Sequence, residues 1–188
     1  MEPAASAAGP AGRTQSTMKD EIERSLSSLI GLPLWAADRA ADMEMFGFGD
    51  RRLVQNMRGE PLEVGQYALH VQCAWRLAGP RGIIVASCDR FYPAGDPDNI
   101  PPDFAWDKAG ANRRDERLTA FFAQCGDAFP VVQRIEADRL GGLRIVLSGD
   151  VTLDLFPDDS LENEHWRFFQ PRSGEKHFVV TGRGLDLD

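Results

Sequence analysis

Alternating apolar and polar residues over Tyr67–Leu77 constrain the fold of this chain more than any other stretch. Because successive side chains of a strand point to opposite faces, the pattern predicts a strand with one buried and one polar face. Gly79-Pro80 is typical of a turn, and Gly82–Cys88 then returns as an antiparallel partner, so the two segments form a hairpin. The predicted buried side chains are Tyr67, Leu69, Val71, Cys73, Trp75 and Leu77.

The C-terminal third repeats this strand-and-turn pattern, with turns at Gly141-Gly142 and Ser148–Asp150. An acidic elbow, Pro157–Glu164, separates two of its strands. The strands predicted there are Val131–Ala137, Leu143–Leu147, Val151–Phe156, His165–Phe169 and His177–Thr181.

The region before the hairpin is less regular. Met43–Phe48 alternates like a strand, and Gly49-Asp50 is predicted to end it. Arg51–Gly65 is interpreted as a connection because it contains two glycines and a proline, and a short strand at Leu53-Val54 is the alternative. Trp35–Ala41 is compatible with either helix or strand, since its alanines favour a helix and its neighbours alternate.

Two amphipathic helices are predicted, Met18–Ile30 and Arg113–Cys125. Thr17 with Asp20 resembles a capping box before the first helix, and Asn112 caps the second. Apolar side chains recur at helical spacing in both segments. They are Met18, Ile22, Leu26 and Leu29 in the first helix, and Leu118, Phe121, Phe122 and Cys125 in the second.

These elements predict an α+β fold: a single, largely antiparallel twisted sheet of about six to eight strands, with the two helices on one face. A chain of 188 residues is long enough to bury a core, and residues 17–188 are assigned to one domain. Residues 1–16 consist mostly of Ala, Gly, Pro and Ser and are predicted to form a disordered leader.

The composition limits the classes of partner. A net charge of −8 argues against a nucleic-acid backbone or an anionic membrane and is compatible with a basic protein partner. No apolar run approaches the ~20 residues of a membrane-spanning helix. The cysteines Cys73, Cys88 and Cys125 are odd in number and widely spaced, which favours a reducing compartment over a disulfide framework. We therefore expect a cytoplasmic protein.

The long segment Phe91–Ala111 is the first candidate site, because loops of this length without structure of their own are usually functional or disordered. Aspartates and aromatic residues interleave in it, and aromatic anchors within an acidic rim suit a basic peptide or protein partner. A surface flap whose aromatic side chains cover the core is the alternative. The candidate binding residues are Tyr92, Asp103, Trp106 and Asp107.

The strand after the acidic elbow is the second candidate site. Here His165 and Arg167 are candidates for a polar floor that faces a ligand or partner. A small-molecule pocket would require His70 to converge on the same point. The acids beside His165 match no established metal-ligand pattern, and Asp159–Glu162 instead predicts a capped helical turn.

No catalytic, metal or cofactor site is predicted. His70 and Cys73 have a ligand-like spacing, but positions three apart in a strand face opposite sides of the sheet and cannot share one ion. Arg113–Arg117 mixes positive and negative charges at a helix start and is interpreted as a solvated face.

Three C-terminal motifs carry a resemblance: Phe-Pro-Asp-Asp-Ser at residues 156–160, Glu-His-Trp-Arg-Phe-Phe at 164–169, and His-Phe-Val-Val-Thr-Gly at 177–182. Together they resemble a pattern shared by small uncharacterised bacterial proteins, some of which are similar to immunity or accessory proteins of bacterial toxin systems. The resemblance implies a bacterial origin and an intracellular setting. It carries over no activity and no site residue.

Three hypotheses about function follow. The first is a non-catalytic binding or accessory protein that recognises a basic protein partner through Phe91–Ala111 and the elbow Asp158–Glu164. The second is a small-molecule-binding protein or enzyme with a polar pocket that includes His165 and Arg167. The third is a structural domain that forms a homodimer.

Overall fold

The computed structural model describes residues 16–56 and 58–186, so the predicted leader lies almost wholly outside the described residues. In these ranges two α-helices, α1 (Met18–Leu26) and α2 (Arg113–Cys125), and two short 3-10 helices, Ser27–Leu29 and Ser87–Phe91, accompany eleven strands. The strands are β1 Leu34–Ala40, β2 Met43–Gln55, β3 Pro61–Val71, β4 Ala74–Gly79, β5 Gly82–Ala86, β6 Val132–Ala137, β7 Leu143–Leu147, β8 Val151–Phe156, β9 Glu164–Phe169, β10 Phe178–Thr181 and β11 Gly184–Asp186.

The α+β class and the antiparallel pairing are confirmed, but the strands form two sheets and not one. A six-stranded sheet has the order β1-β2-β3-β9-β10-β11, and a five-stranded sheet has the order β5-β4-β8-β7-β6. The chain passes between the sheets at Gln72 and Cys73, whose backbone N–H groups both donate to the carbonyl of His165, at 2.8 and 3.1 Å. The predicted strand Tyr67–Leu77 is therefore two strands, β3 and β4, joined by a corner.

The inner faces of the two sheets share one hydrophobic core. Phe46 of β2 meets Trp75 of β4 edge-to-face, with ring centroids 5.3 Å apart, which joins the sheets directly. Trp166 of β9 is fully buried, and its indole Nε1 donates to the carbonyl of Gly141 at 2.8 Å. The predicted alternation is confirmed for Leu69, Val71, Cys73, Trp75 and Leu77, which are all buried, whereas Tyr67 is only partly buried.

Both helices begin as predicted but do not share one face of a sheet. The Thr17 capping box starts α1, and the side-chain oxygen of Asn112 accepts from the backbone N–H of Asp115 at 2.8 Å to start α2. Helix α1 packs against β6, whereas α2 packs against β5 and β1. Because each sheet buries its inner face against the other, the helices cover the edges.

Strand β2 runs well past its predicted end. Trp35–Ala41 belongs largely to β1, and β2 continues from Met43 through Gln55, so that Arg51–Gln55 and Pro61–Gly65 pair as the far half of a long hairpin. The register shifts between Phe48 and Arg51, and Gly49 there has a φ of +76°. The glycine therefore marks a β-bulge and not a strand end. We call residues 51–56 and 58–65 the hairpin arm.

The outer face of the five-stranded sheet carries a row of alternating charges. Asp154 of β8 is the cross-strand partner of both Arg76 and Arg144. Its carboxylate accepts from the Nε atoms of these arginines at 3.0 and 2.6 Å, and Glu136 is paired with Arg144 on the next strand. Asp154 is 3% exposed, so the two arginines neutralise a buried carboxylate.

Candidate functional site

Residues 91–111 form one ordered surface segment, which we call the acidic aromatic loop. The guanidinium of Arg39 holds its C-terminal half: it donates to the carbonyls of Trp106, Asp107 and Lys108 at 3.4, 3.1 and 3.3 Å. The same guanidinium pairs with the carboxylate of Asp115 at 3.0 Å. The side chain of Arg39 is only 9% exposed, so β1 and α2 fix the loop through a buried contact.

Backbone hydrogen bonds close the two ends of the loop. The N–H of Ala94 donates to the carbonyl of Ala111 at 2.9 Å, and the N–H of Arg113 donates to the carbonyl of Tyr92 at 2.8 Å. The side-chain amide of Asn112 donates to the carbonyl of Trp106 at 2.7 Å. The loop is thus tied to the start of α2 as well as to β1.

A buried ion-pair network lies beneath this attachment. Arg114 donates to both carboxylate oxygens of Glu44 and, at 2.9 Å, to Asp115. Glu44 and Arg114 are 3% and 5% exposed. Burial raises the pKa of Glu44 to about 7, although the hydrogen bond from Arg114 opposes that shift. Burial also opposes ionisation of Asp115, but hydrogen bonds from Arg39, the backbone of Gly110 and Arg114 hold its pKa below the ordinary value.

The interpretation of Arg113–Arg117 as a solvated face is wrong for Arg114. The sequence did contain a signal that Arg114 is buried. Arg114 precedes the buried Leu118 by four residues and so lies on the same side of the helix. The sequence offered no comparable signal for Arg39 or Glu44, whose partners lie about 70 residues away.

The outward side of the acidic aromatic loop combines exposed acids with exposed apolar side chains. Tyr92 is 43% exposed, Phe91 45% and Ile100 50%. Trp106 is half-buried and meets Phe91 edge-to-face, with ring centroids 5.7 Å apart. The loop therefore covers part of the molecule and also exposes apolar side chains to solvent. Four exposed carboxylates form no ion pair within residues 16–56 and 58–186: Asp96, Asp98, Asp103 and Asp107.

His165 lies inside the corner between the sheets and not on a ligand-facing floor. It is 2% exposed, and its Nε2 is 3.2 Å from the carbonyl of Asp159. The carboxylates of Asp158 and Asp159 lie 3.7 and 3.8 Å from the ring nitrogens. The side chain therefore links the acidic elbow to β9.

The predicted helical turn at Asp159–Glu162 is a bend. The carboxylate of Asp159 accepts from the N–H of Leu161 at 2.8 Å and from the amide of Asn163 at 3.0 Å. A Cβ on Gly182 would lie 2.6 Å from the carbonyl oxygens of Asp159 and Leu161. The elbow thus packs directly on the β10–β11 turn, and only a glycine fits beneath it.

Arg167 and His70 are cross-strand neighbours on the outer face of the six-stranded sheet. Arg167 forms an ion pair with Glu164 at 2.6 Å. Burial, and secondarily the positive charge of Arg167, lowers the pKa of His70 to about 4, so the imidazole is neutral at pH 7. The structure brings these two predicted residues together, whereas His165, on the same strand as Arg167, is buried in the corner between the sheets.

The structure also bears on metal and thiol chemistry. Within the described ranges no group of three or more His, Cys, Asp or Glu side chains is placed to hold a metal ion. Cys73 is buried, which raises the pKa of its thiol to about 12, and Cys88 and Cys125 are also free thiols. None of the helices in residues 16–56 and 58–186 combines the length and the hydropathy needed to span a membrane.

No family model matches the sequence, and no curated protein or solved structure is significantly similar to it.

Proposed function

We propose that this chain is a non-catalytic binding protein whose acidic aromatic loop recognises a basic protein partner. One observation carries the proposal: exposed aspartates without an ion-pair partner and exposed Phe91, Tyr92 and Ile100 occur together on a loop that is already fixed in place. Charged rims with apolar or aromatic centres are the usual composition of protein interfaces.

The fixed backbone of the loop favours binding energetically. Association costs free energy when loops and side chains must be ordered, and Arg39 with Asn112 has already ordered this loop in the free protein. Tyr92 provides a rigid amphipathic anchor of the kind that dominates binding energy at interfaces. The aspartates, in a chain of net charge −8, would accelerate association with a positively charged partner and discriminate against acidic ones.

The C-terminal motifs resemble a pattern of small uncharacterised bacterial proteins, some of which are similar to immunity or accessory proteins of toxin systems, and this resemblance favours the same class of function. It adds a setting to the proposal, namely the bacterial cytoplasm, in which a basic toxin domain is a suitable partner. The exposed free thiol of Cys88 is compatible with that reducing compartment.

A pair of charge-matched variants tests the proposal. The loop variant replaces Asp98, Asp103 and Asp107 with asparagine, and the control replaces the exposed acids Asp50, Asp127 and Glu175 with their amides. Each variant removes three negative charges, so their net charges are equal. The tagged full-length chain is used to capture proteins from a native bacterial lysate at low and at moderate ionic strength.

The expected result is a basic protein retained by wild type and by the control but lost with the loop variant. Its retention should weaken at moderate salt, because exposed charges are screened over about 8–10 Å. Loss of the same protein with both variants would show that net charge alone causes capture. Equal retention by all three chains, or no partner at either salt concentration, would refute the proposal.

A further inference from the structure

A cavity of about 370 Å³ lies on the outer face of the six-stranded sheet, lined by residues other than those of the acidic aromatic loop. Its floor is a row of small residues on adjacent strands, since Ala36, Gly47 and Ala68 are successive cross-strand partners. The next partner in the row is Phe169, which closes one end. Because these three neighbouring residues have small side chains or none, they leave a depression in the surface of the sheet.

The hairpin arm supplies the opposite wall. After the β-bulge near Gly49, the arm presents the side chains of Val54, Leu62 and Val64 to the cavity. The indole of Trp35 lines the other end, with the guanidinium of Arg51 stacked 4.7 Å from its ring centroid. The volume falls within the range of small-molecule sites, which is about 300–1,000 Å³.

The charges around the cavity restrict what it can hold. The charged residues that line it, Asp38, Glu63 and Arg172, are all exposed, and Arg172 donates to the carbonyl of Gln55 at 2.8 Å. The lining residues that are not exposed are apolar, apart from Trp35 and His70. An ionised ligand group would lose its hydration there without gaining a buried counter-charge, so the cavity favours an uncharged molecule.

Besides the buried indole Nε1 of Trp35, which has no hydrogen-bond partner among the described residues, the hydrogen-bonding group of the cavity is His70. Its ring meets Phe169 edge-to-face, with centroids 4.7 Å apart, and this contact fixes its orientation. Across the part of the chain that the structure describes, no group donates to or accepts from its ring nitrogens. A neutral imidazole offers one donor and one acceptor.

We infer that this cavity binds a small uncharged aromatic molecule, packed between Trp35, Phe169 and the hairpin arm and hydrogen-bonded to His70. This inference does not rest on the proposed function, because the two sites share no residue. It also revises the predicted polar pocket: His70 remains part of a ligand site, whereas His165 and Arg167 do not line it.

Two fluorescent probes with the same ring system test the inference on the full-length chain. N-phenyl-1-naphthylamine is uncharged, and 8-anilinonaphthalene-1-sulfonate adds a sulfonate. We expect saturable one-to-one binding of the uncharged probe. The sulfonate probe should bind at least roughly tenfold more weakly, because its charge has no buried partner in the cavity. No saturable binding of the uncharged probe, or equal affinities for the two probes, would overturn the inference.

Variants locate the binding site. Ala68→Phe fills the floor and Leu62→Asp places a charge on the exposed arm, and each should weaken binding at least roughly tenfold. Ala78→Phe makes the same size change on the outer face of the other sheet and should bind as wild type. Circular dichroism checks that each variant is folded. If Ala68→Phe does not fold, Leu62→Asp alone locates the site, because Leu62 is 47% exposed and its replacement should leave the core intact.

His70→Phe tests the polar contact separately. It should weaken binding of N-phenyl-1-naphthylamine by roughly fivefold, as expected for one hydrogen bond, while leaving binding of naphthalene unchanged. Equal affinities in all these variants would place the probe elsewhere and refute the assignment.

Discussion

Replacing Arg39 with alanine removes the contact that attaches the acidic aromatic loop to β1. The guanidinium pairs with Asp115 at 3.0 Å and donates to three loop carbonyls, and its side chain is 9% exposed. Removing one partner of a buried pair costs about 3–5 kcal/mol. Asp115 keeps its hydrogen bonds from Arg114 and Gly110. We therefore expect a loss near the lower limit, about 3 kcal/mol.

Urea unfolding followed by tryptophan fluorescence measures this loss, and amide hydrogen exchange locates it. Exchange should accelerate most at Lys108 and Ala111, whose N–H groups donate to carbonyls within the loop. Arg134→Ala is the matched control, because Arg134 also pairs with a carboxylate, at 2.7 Å from Glu136, but is 63% exposed. A surface pair of this kind contributes at most about 1 kcal/mol.

Two results would refute this reasoning. If Arg39→Ala lost no more stability than Arg134→Ala, the buried pair would not hold the loop. If stability fell but exchange within residues 91–111 were unchanged, the loop would be ordered by its own contacts, and the role assigned to Arg39 in preorganising it would be wrong.

Three further predictions concern groups outside the loop. Because the pKa of Glu44 is about 7 in the folded chain against 4.5 for an unperturbed glutamate, its stabilising contribution is complete below pH 4.5 and is lost as the pH rises to about 7. Relative to Glu44→Gln, wild type should therefore lose up to about 3 kcal/mol over that interval in urea unfolding; parallel curves would contradict this. Asp154→Asn should lower the free energy of unfolding by about 2 kcal/mol in the same assay, because Arg76 and Arg144 lose a charged acceptor. A change within experimental error would show that this row of charges does not contribute to stability. Gly182→Ala should lower the free energy of unfolding by about 1–3 kcal/mol through the clash with the elbow, and an unchanged midpoint would disprove that close approach.

The elements predicted correctly are those whose signals are local. Thr17 and Asn112 each cap a helix through neighbours three residues away, so both helix starts could be predicted from the sequence. The corner at Gln72 and Cys73 could not, because the apolar alternation continues through it while the backbone changes sheets. One sheet was therefore predicted where the structure has two.

The candidate sites divide in the same way. The composition of residues 91–111 predicted an acidic and aromatic surface, but its attachment depends on Arg39, which lies about 70 residues away in sequence. Small residues at Ala36, Gly47 and Ala68 carry no signal individually and form a cavity floor only when strand register aligns them. The register between strands that are distant in sequence depends on tertiary contacts and cannot be predicted from a single sequence.

Site-specific crosslinking tests the central claim most directly. A photo-reactive amino acid replaces Asn99, which is exposed in the acidic aromatic loop, or Leu140, which is 69% exposed in the β6–β7 turn. Each full-length chain is illuminated in cells and its adducts are identified by mass spectrometry. We expect position 99 to crosslink to a basic protein and position 140 not to do so. The absence of an adduct at position 99, or the same adducts at both positions, would contradict the proposed binding role of the loop.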